Sequence, residues 1–127
     1  MNLTEKLFPG IKGKAEQYVE TKDTATEYGS GEVEVFATPA MIALMEKAAH
    51  TSIQQLLPKG FVTVGTEVSI KHIKATGIGK KVWAESLLAS IEGKKLGFTV
   101  EAFDEDGRIG IGTHTRYMVE KEMFVPV

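Results

Sequence analysis

The 127-residue sequence contains no cysteine. This absence excludes disulfide bonds, thiolate-bound zinc, iron–sulfur clusters and a cysteine nucleophile, so we expect any nucleophile to be an oxygen. Runs of Lys or Arg never exceed a pair and the formal net charge is -2, which leaves neither a phosphate-neutralising patch nor a polybasic membrane anchor. We therefore expect no nucleic-acid partner.

Long apolar runs are also missing. Residues 1–14 are polar and mixed around Leu7 and Phe8, and no later stretch approaches membrane-spanning length. We expect a cytoplasmic protein without a membrane partner. Hydrophobic residues make up 43% of the chain and charged residues 25%, proportions typical of a globular protein. The length suits one hydrophobic core, so we predict a single domain over residues 1–127.

One helix is clearly indicated. Thr38 before Pro39 suits a helix N-cap followed by proline at the first helical position. Pro58 and Gly60 supply the stop, which predicts a helix of about 18 to 20 residues. Its apolar stripe at helical spacing comprises Met41, Ile42, Leu44, Met45, Ala48, Ala49, Ile53 and Leu56.

The remaining chain is typical of β-sheet. The pattern predicts a modest strand at 14–21, a short β-prone piece at 33–36, and long strands at 62–72, 82–91, 96–103 and 109–119. In the first long strand, every second residue from Val62 to His72 is predicted to share one apolar face. Gly110 and Gly112 in the last strand indicate a bulge or the close approach of another group. One helix with about five antiparallel strands predicts an α+β fold whose curved sheet wraps the helix.

Three side chains are candidates for chemistry, and each also has an ordinary structural explanation. Glu46 lies at the border of the apolar stripe, where it is either a rim carboxylate reaching water or an enclosed base or nucleophile. His72 lies on the apolar face of its strand, as a core residue or as an imidazole that exchanges protons near neutral pH. Capping alone would explain Thr38.

Other polar clusters are weaker candidates for a functional site. His50, His72 and His114 with Glu46 match no recognised zinc spacing, so we expect no metal site. The acidic run Asp104–Asp106 adjoins a hairpin signal, and a solvated turn explains it.

Four segments together resemble the thioesterases similar to fluoroacetyl-CoA thioesterase. They follow one another without large gaps between about Val35 and Phe124. Their sequences are VFATPAMIALMEKAA, GTEVSIKHIKAT, SIEGKKLGFTVEAFD and IGIGTHTRYMV.

The resemblance implies a hot-dog fold, a homodimer and hydrolysis of a small acyl-CoA thioester. The family's catalytic threonine, glutamate and histidine correspond to Thr38, Glu46 and His72. Its backbone glycine near the thioester corresponds to Gly65 and its active-site arginine to Arg116, the two predicted substrate-binding residues. The implied roles are attack or water activation by the glutamate, proton transfer by the histidine and orientation by the threonine. No metal or organic cofactor is implied.

The chain departs from the family pattern in one loop. The fluoroacetyl-CoA enzyme has lid phenylalanines just before the helix, whereas residues 29–32 hold none, so we expect a broader acyl preference. Two other functions remain open. A non-catalytic acyl-CoA or small-ligand binding module is the first, because a fold does not fix a function. A hydratase or dehydratase is the second, although the sequence lacks the Asp-Xaa-Asn-Pro-Xaa-His type of motif.

Overall fold

A five-stranded antiparallel sheet with the order β1-β3-β4-β5-β2 packs around one long helix. The computed structural model describes residues 2–124 and residue 126. The α+β prediction and its strand number are confirmed. The elements are β1 Lys12–Tyr18, a 3₁₀ turn Thr21–Asp23, α1 Ala25–Tyr28, α2 Thr38–Ile53, a 3₁₀ turn Gln54–Leu56, β2 Phe61–His72, β3 Lys81–Glu92, β4 Lys95–Asp104 and β5 Gly107–Glu120.

Helix α2 supplies the centre of the core. It packs mainly on β1 and β3, and its buried residues are Ala40, Met41, Leu44, Met45, Ala48, Ala49 and Ile53. The opposite side of the core comes from β4, whose predicted inward residues Leu96, Phe98, Val100 and Ala102 are all at most 2% exposed. Burial of these two apolar surfaces against each other drives the fold.

The start of α2 differs from the prediction in a way that concerns the site. Ala37 is the N-cap, with φ -72° and ψ 145°, while Thr38 is already the first helical residue. The prediction that Thr38 caps the helix is therefore wrong, and no side chain caps this end. The Thr38 hydroxyl is left available for a partner outside its own helix.

A β-bulge in β2 overturns the predicted strict alternation. Gly65 pairs with Arg116 and Glu67 with Thr115, so Thr66 is an extra residue between them. The insertion moves Val62 and Val64 to the outer face, opposite His72, whereas strict alternation would have put them on the same face. The same shift brings Gly65 onto the inner face with His72.

The last strand confirms a close approach at Gly110. A Cβ added there would lie 2.5 Å from Sδ of Met41, so only glycine lets α2 pack this closely on β5.

Smaller differences lie before α2. The strand predicted at 14–21 spans Lys12–Tyr18. Residues 33–36 form no strand and make only isolated bridges, Val35 to Gly77 and Phe36 to Thr24. The sequence did not predict the short helix α1, because its segment was read as a polar loop. The helix ends at Gly29, which has a left-handed conformation with φ 73°.

The acidic run had suggested that Asp104 lies in a solvated turn, and for Asp104 this prediction is wrong. It is 4% exposed and accepts hydrogen bonds from Lys74 Nζ at 2.6 Å and Thr76 Oγ1 at 2.8 Å. Burial alone would raise the pKa of Asp104, but these hydrogen bonds outweigh it and hold the pKa below its ordinary value. The buried carboxylate ties the segment that follows His72 to the end of β4.

Candidate active site

Thr38 and His72 form a hydrogen-bonded pair. The first turn of α2 lies beside the last residue of β2, and Thr38 Oγ1 is 2.8 Å from His72 Nδ1. The His72 Nε2 atom is buried and has no hydrogen-bond partner among residues 2–124 and 126. Burial lowers the pKa of His72 below its ordinary value of 6.5, and the nearby Lys74 backbone raises it by less. The imidazole is therefore neutral near pH 7 and able to accept a proton.

A cavity of about 340 Å³ opens beside this pair. Its wall is mostly apolar, with Ala25, Val35 and Phe36, and Ser30 contributes from the loop between α1 and α2. This loop includes residues 29–32, which contain no phenylalanine. The cavity suits a small apolar group with a reactive polar end at Thr38 and His72.

Glu46 lies in a second cluster, on the other half of α2. Its Oε2 is 3.7 Å from Nη1 of Arg116, and its side chain is 40% exposed while that of Arg116 is 9% exposed. Glu46 is thus at the edge of the core, as the helical stripe predicted. Its carboxylate faces open space on one side and a buried cation on the other.

Arg116 is fixed by β2. Its Nε donates to Thr63 Oγ1 at 2.7 Å and its Nη2 to the Thr63 carbonyl at 3.0 Å. Its Nη1 is 3.1 Å from Nε2 of His114. A guanidinium carries only donors, so each of these partners is an acceptor. The sequence alone did not identify Thr63 or His114 as part of this arrangement, because the pairing of β2 with β5 brings them together.

Gly65 lies against the same cluster. A Cβ added there would be 2.7 Å from Glu46 Oε2 and 3.2 Å from Arg116 Nη1. The missing side chain therefore leaves the space that the carboxylate occupies. Gly65 therefore lies in the same cluster as Glu46 and Arg116.

The two clusters are far apart within one protomer. Gly65 pairs with Arg116 and His72 with Gly110, so six ladder steps on β5 separate them. At ~3.3 Å per residue this is about 20 Å of strand. The protomer's own Glu46 therefore does not reach its own His72.

A model of the family described as fluoroacetyl-CoA-specific thioesterase matches residues 19–122. The chain belongs to this thioesterase family. The fluoroacetyl-CoA thioesterase of Streptantibioticus cattleyicolor is 38% identical over 91 residues, which are 72% of this chain and 66% of the relative's length.

Solved structures agree with this family assignment. A structure of the fluoroacetyl-CoA thioesterase has a TM-score of 0.87 at 31% identity, covering 93% of this chain and 92% of that chain. A thioesterase superfamily member of Thermus thermophilus has a TM-score of 0.86 at 26% identity, covering 94% and 88%. The sequence-based assignments to the hot-dog fold, to this family and to the thioesterases, which are hydrolases, are confirmed. The roles of Thr38, Glu46, His72, Gly65 and Arg116 stay predictions.

Other features of this family member lie away from both clusters. A larger cavity, about 470 Å³, lies on the outer side of the sheet and is lined mainly by surface residues such as Lys12, Lys14, Glu85 and Glu101. Within the described part of the chain, no three histidine or carboxylate side chains cluster as potential metal ligands. No helix in that part is long and apolar enough to cross a membrane.

Proposed function

We propose that this protein hydrolyses small acyl-CoA thioesters to the free acid and CoA. The observation that supports this most is the Thr38–His72 hydrogen bond at a mainly apolar cavity, in a chain whose family acts on thioesters. A neutral imidazole at the mouth of a small apolar pocket is suited to proton transfer beside a bound acyl group. The expected location in the cytoplasm and the expected absence of a nucleic-acid partner stay predictions.

Each residue has a distinct proposed role. Glu46 attacks the thioester carbonyl carbon or removes a proton from the attacking water. The Gly65 backbone N–H donates a hydrogen bond to the developing oxyanion, and the absent side chain lets the thioester approach. His72 moves protons between water and the departing thiolate, while Thr38 orients its ring. Arg116 keeps the Glu46 carboxylate in place from the buried side.

This division of roles requires a second copy of the chain. Gly65, the neighbour of Glu46, is separated from His72 of the same protomer by about 20 Å of strand, and Glu46 lies about 12 Å beyond Thr38 along α2, too far for one site. Strand β2 is at one end of the sheet order, and its second edge has no strand partner in the described part of the chain. An exposed edge of 12 residues is suited to pairing with another strand.

We propose a homodimer in which two β2 strands pair antiparallel near Ser69. Gly65 and His72 share the inner face of β2, and Ser69 is midway between them on the ladder. A two-fold axis there brings Gly65 and Glu46 of one protomer beside the partner's His72, because an isologous interface exchanges the two positions. Val68, adjacent to the axis, is 42% exposed in one protomer and would be covered.

Complementation tests the shared site. We expect His72→Ala and Glu46→Gln homodimers to be inactive separately and to regain roughly one quarter of wild-type activity after unfolding and refolding together. Half of the subunit pairs are then mixed, and each mixed pair contains one intact site. His72→Ala mixed with Thr38→Ala is the matched control and should regain nothing, since both changes affect the same half of a site. Recovery in the control, or none in the test pair, contradicts the arrangement.

The loop before α2 predicts a broad acyl range. Residues 29–32 supply no phenylalanine lid, so the cavity beside Thr38, although Phe36 forms part of its wall, remains open to water next to Ala25, Ser30 and Val35. Even a well-formed apolar pocket separates acyl chains by only ~1 to 3 kcal/mol per methylene. We expect fluoroacetyl-, acetyl-, propionyl- and butyryl-CoA all to be hydrolysed, with kcat/KM changing by no more than about 200-fold for each added methylene.

The measurement is thiol release with the four substrates side by side. Strong preference for fluoroacetyl-CoA would mean that another residue supplies the gate. Binding of acyl-CoA without any thiol release would instead support the non-catalytic binding module.

A further inference from the structure

His114 is a buried histidine that the proposed mechanism does not use. It is 2% exposed, and its ring stacks on Phe98 with the ring centroids 6.3 Å apart. It lies on the inner face of β5, two residues before Arg116. Both ring nitrogens nevertheless have polar partners, so packing alone does not account for a histidine at this position.

The two partners fix one protonation state. The His114 Nδ1 atom is 2.9 Å from the Glu67 carbonyl oxygen, which only accepts, so Nδ1 carries the proton. The Nε2 atom is 3.1 Å from Arg116 Nη1, which only donates, so Nε2 presents its lone pair. A proton on Nε2 would face the guanidinium N–H and add a second buried positive charge. In agreement, burial lowers the pKa of His114, and the Arg116 charge lowers it further.

The Glu67 carbonyl belongs to the β2 bulge. The bulge interrupts the regular ladder between Gly65 and Glu67, and the Glu67 carbonyl beside it is partly shielded from water and needs a hydrogen-bond partner. His114 supplies that partner. One imidazole thus contacts both the strand segment that carries Gly65 and the guanidinium that faces Glu46.

We infer that His114 is a positioning residue for the thioester site, acting through Arg116 and the bulge. Its neutral Nδ1–H form holds Arg116 Nη1 toward Glu46 and holds the bulge that presents the Gly65 backbone. This role rests on the proposed function, because it is the Glu46 carboxylate and the Gly65 N–H that it aligns.

The first test needs no substrate. In wild-type protein, ¹⁵N chemical shifts of the His114 ring should report a neutral imidazole with the proton on Nδ1, unchanged between pH 8 and pH 6. In Arg116→Met the Glu67 carbonyl still holds the proton on Nδ1, but Nε2 loses its donor and the neighbouring positive charge, so we expect the ring to gain its second proton at higher pH than in wild type. A proton on Nε2, or titration near the ordinary 6.5 in wild type, overturns the inference even if the protein hydrolyses acyl-CoA.

The second test measures whether His114 acts through Arg116. We expect His114→Leu to lower kcat by about 10- to 100-fold, a usual result of misplacing reactive groups, with KM changed less than threefold. In an Arg116→Met background the same change should have almost no further effect, because coupled residues are not additive. An equal loss in both backgrounds points to a general packing role and overturns the inference.

Two variants provide controls. An amide offers one donor and one acceptor, so His114→Gln should restore most of the kcat lost in His114→Leu. Thr113→Val, on the exposed outer face of β5, should leave kcat unchanged. If His114→Leu does not fold, the ¹⁵N shifts of the wild-type and Arg116→Met rings still decide the matter. Absence of acyl-CoA hydrolysis by wild type would refute the proposed function and leave the tautomer test intact.

Discussion

Replacing either Glu46 or His72 should lower kcat by about 10²- to 10⁴-fold, the usual loss for a positioned acid–base group. We expect Glu46→Gln and His72→Ala to fold normally, because both side chains are at the edge of the core. The double variant should be little slower than either single variant, since two groups that act in one step are lost together. The measurement is single-turnover thiol release from acetyl-CoA.

The structure changes the meaning of this prediction. Gly65, the β2 neighbour of Glu46, is about 20 Å from His72 of the same chain along β2, so non-additivity of the Glu46 and His72 changes would report contact across the proposed dimer. Lys47→Gln, on the exposed face of α2 beside Glu46, is the matched control and should retain wild-type kcat. A folded His72→Ala protein with full activity would remove His72 from the mechanism.

The pH dependence of kcat/KM tests the protonation state of His72 independently. Because burial lowers its pKa below 6.5, the imidazole stays neutral to lower pH than an exposed histidine. A base is active only when neutral, so kcat/KM should fall as pH drops through this lowered pKa. We expect the acid limb of the profile to have its midpoint below pH 6.5. A midpoint above 6.5 would mean that the pKa of His72 is not lowered, whereas a kcat/KM that falls as pH rises would indicate that His72 enters the reaction as the protonated acid.

Periodicity was sufficient to predict the elements that surround the site. The helical stripe from Met41 to Ile53 and the alternation from Leu96 to Ala102 each identified a buried face, because burial selects apolar residues at the repeat of the element. The predicted helix differed by one residue at its start, yet that one residue changes Thr38 from a cap into a hydrogen-bond donor or acceptor for His72.

The features that the sequence did not predict depend on the register between β2 and β5. The bulge at Thr66 has no apolar signature, because Gly65, Thr66 and Glu67 are all polar or small and fit either face. The contact of Arg116 with Thr63 joins residues 53 positions apart and that of His114 with the Glu67 carbonyl joins residues 47 positions apart, and both follow only from that register. The separation of Glu46 from His72 likewise follows only from the pairing of β2 with β5.

Gly65→Ala should lower kcat strongly while leaving the fold largely intact. The added Cβ would lie 2.7 Å from Glu46 Oε2 and 3.1 Å from His114 Cε1. The Glu46 carboxylate is the end of a flexible side chain and can move away, so we expect only a small loss of stability. Moving a reacting group by about 1 Å, however, costs on the order of 10² in rate.

Gly77→Ala is a well-matched control, because a Cβ there meets no atom within 4 Å and its backbone is not in the left-handed region. We expect Gly77→Ala to keep wild-type kcat and Tm, and Gly65→Ala to keep Tm within a few degrees while kcat falls ~10²-fold. Thermal unfolding and thiol-release kinetics on the same preparations separate these outcomes. A Gly65→Ala enzyme with normal kcat would mean that the carboxylate has room to function elsewhere, and that the space left by glycine is not what positions Glu46.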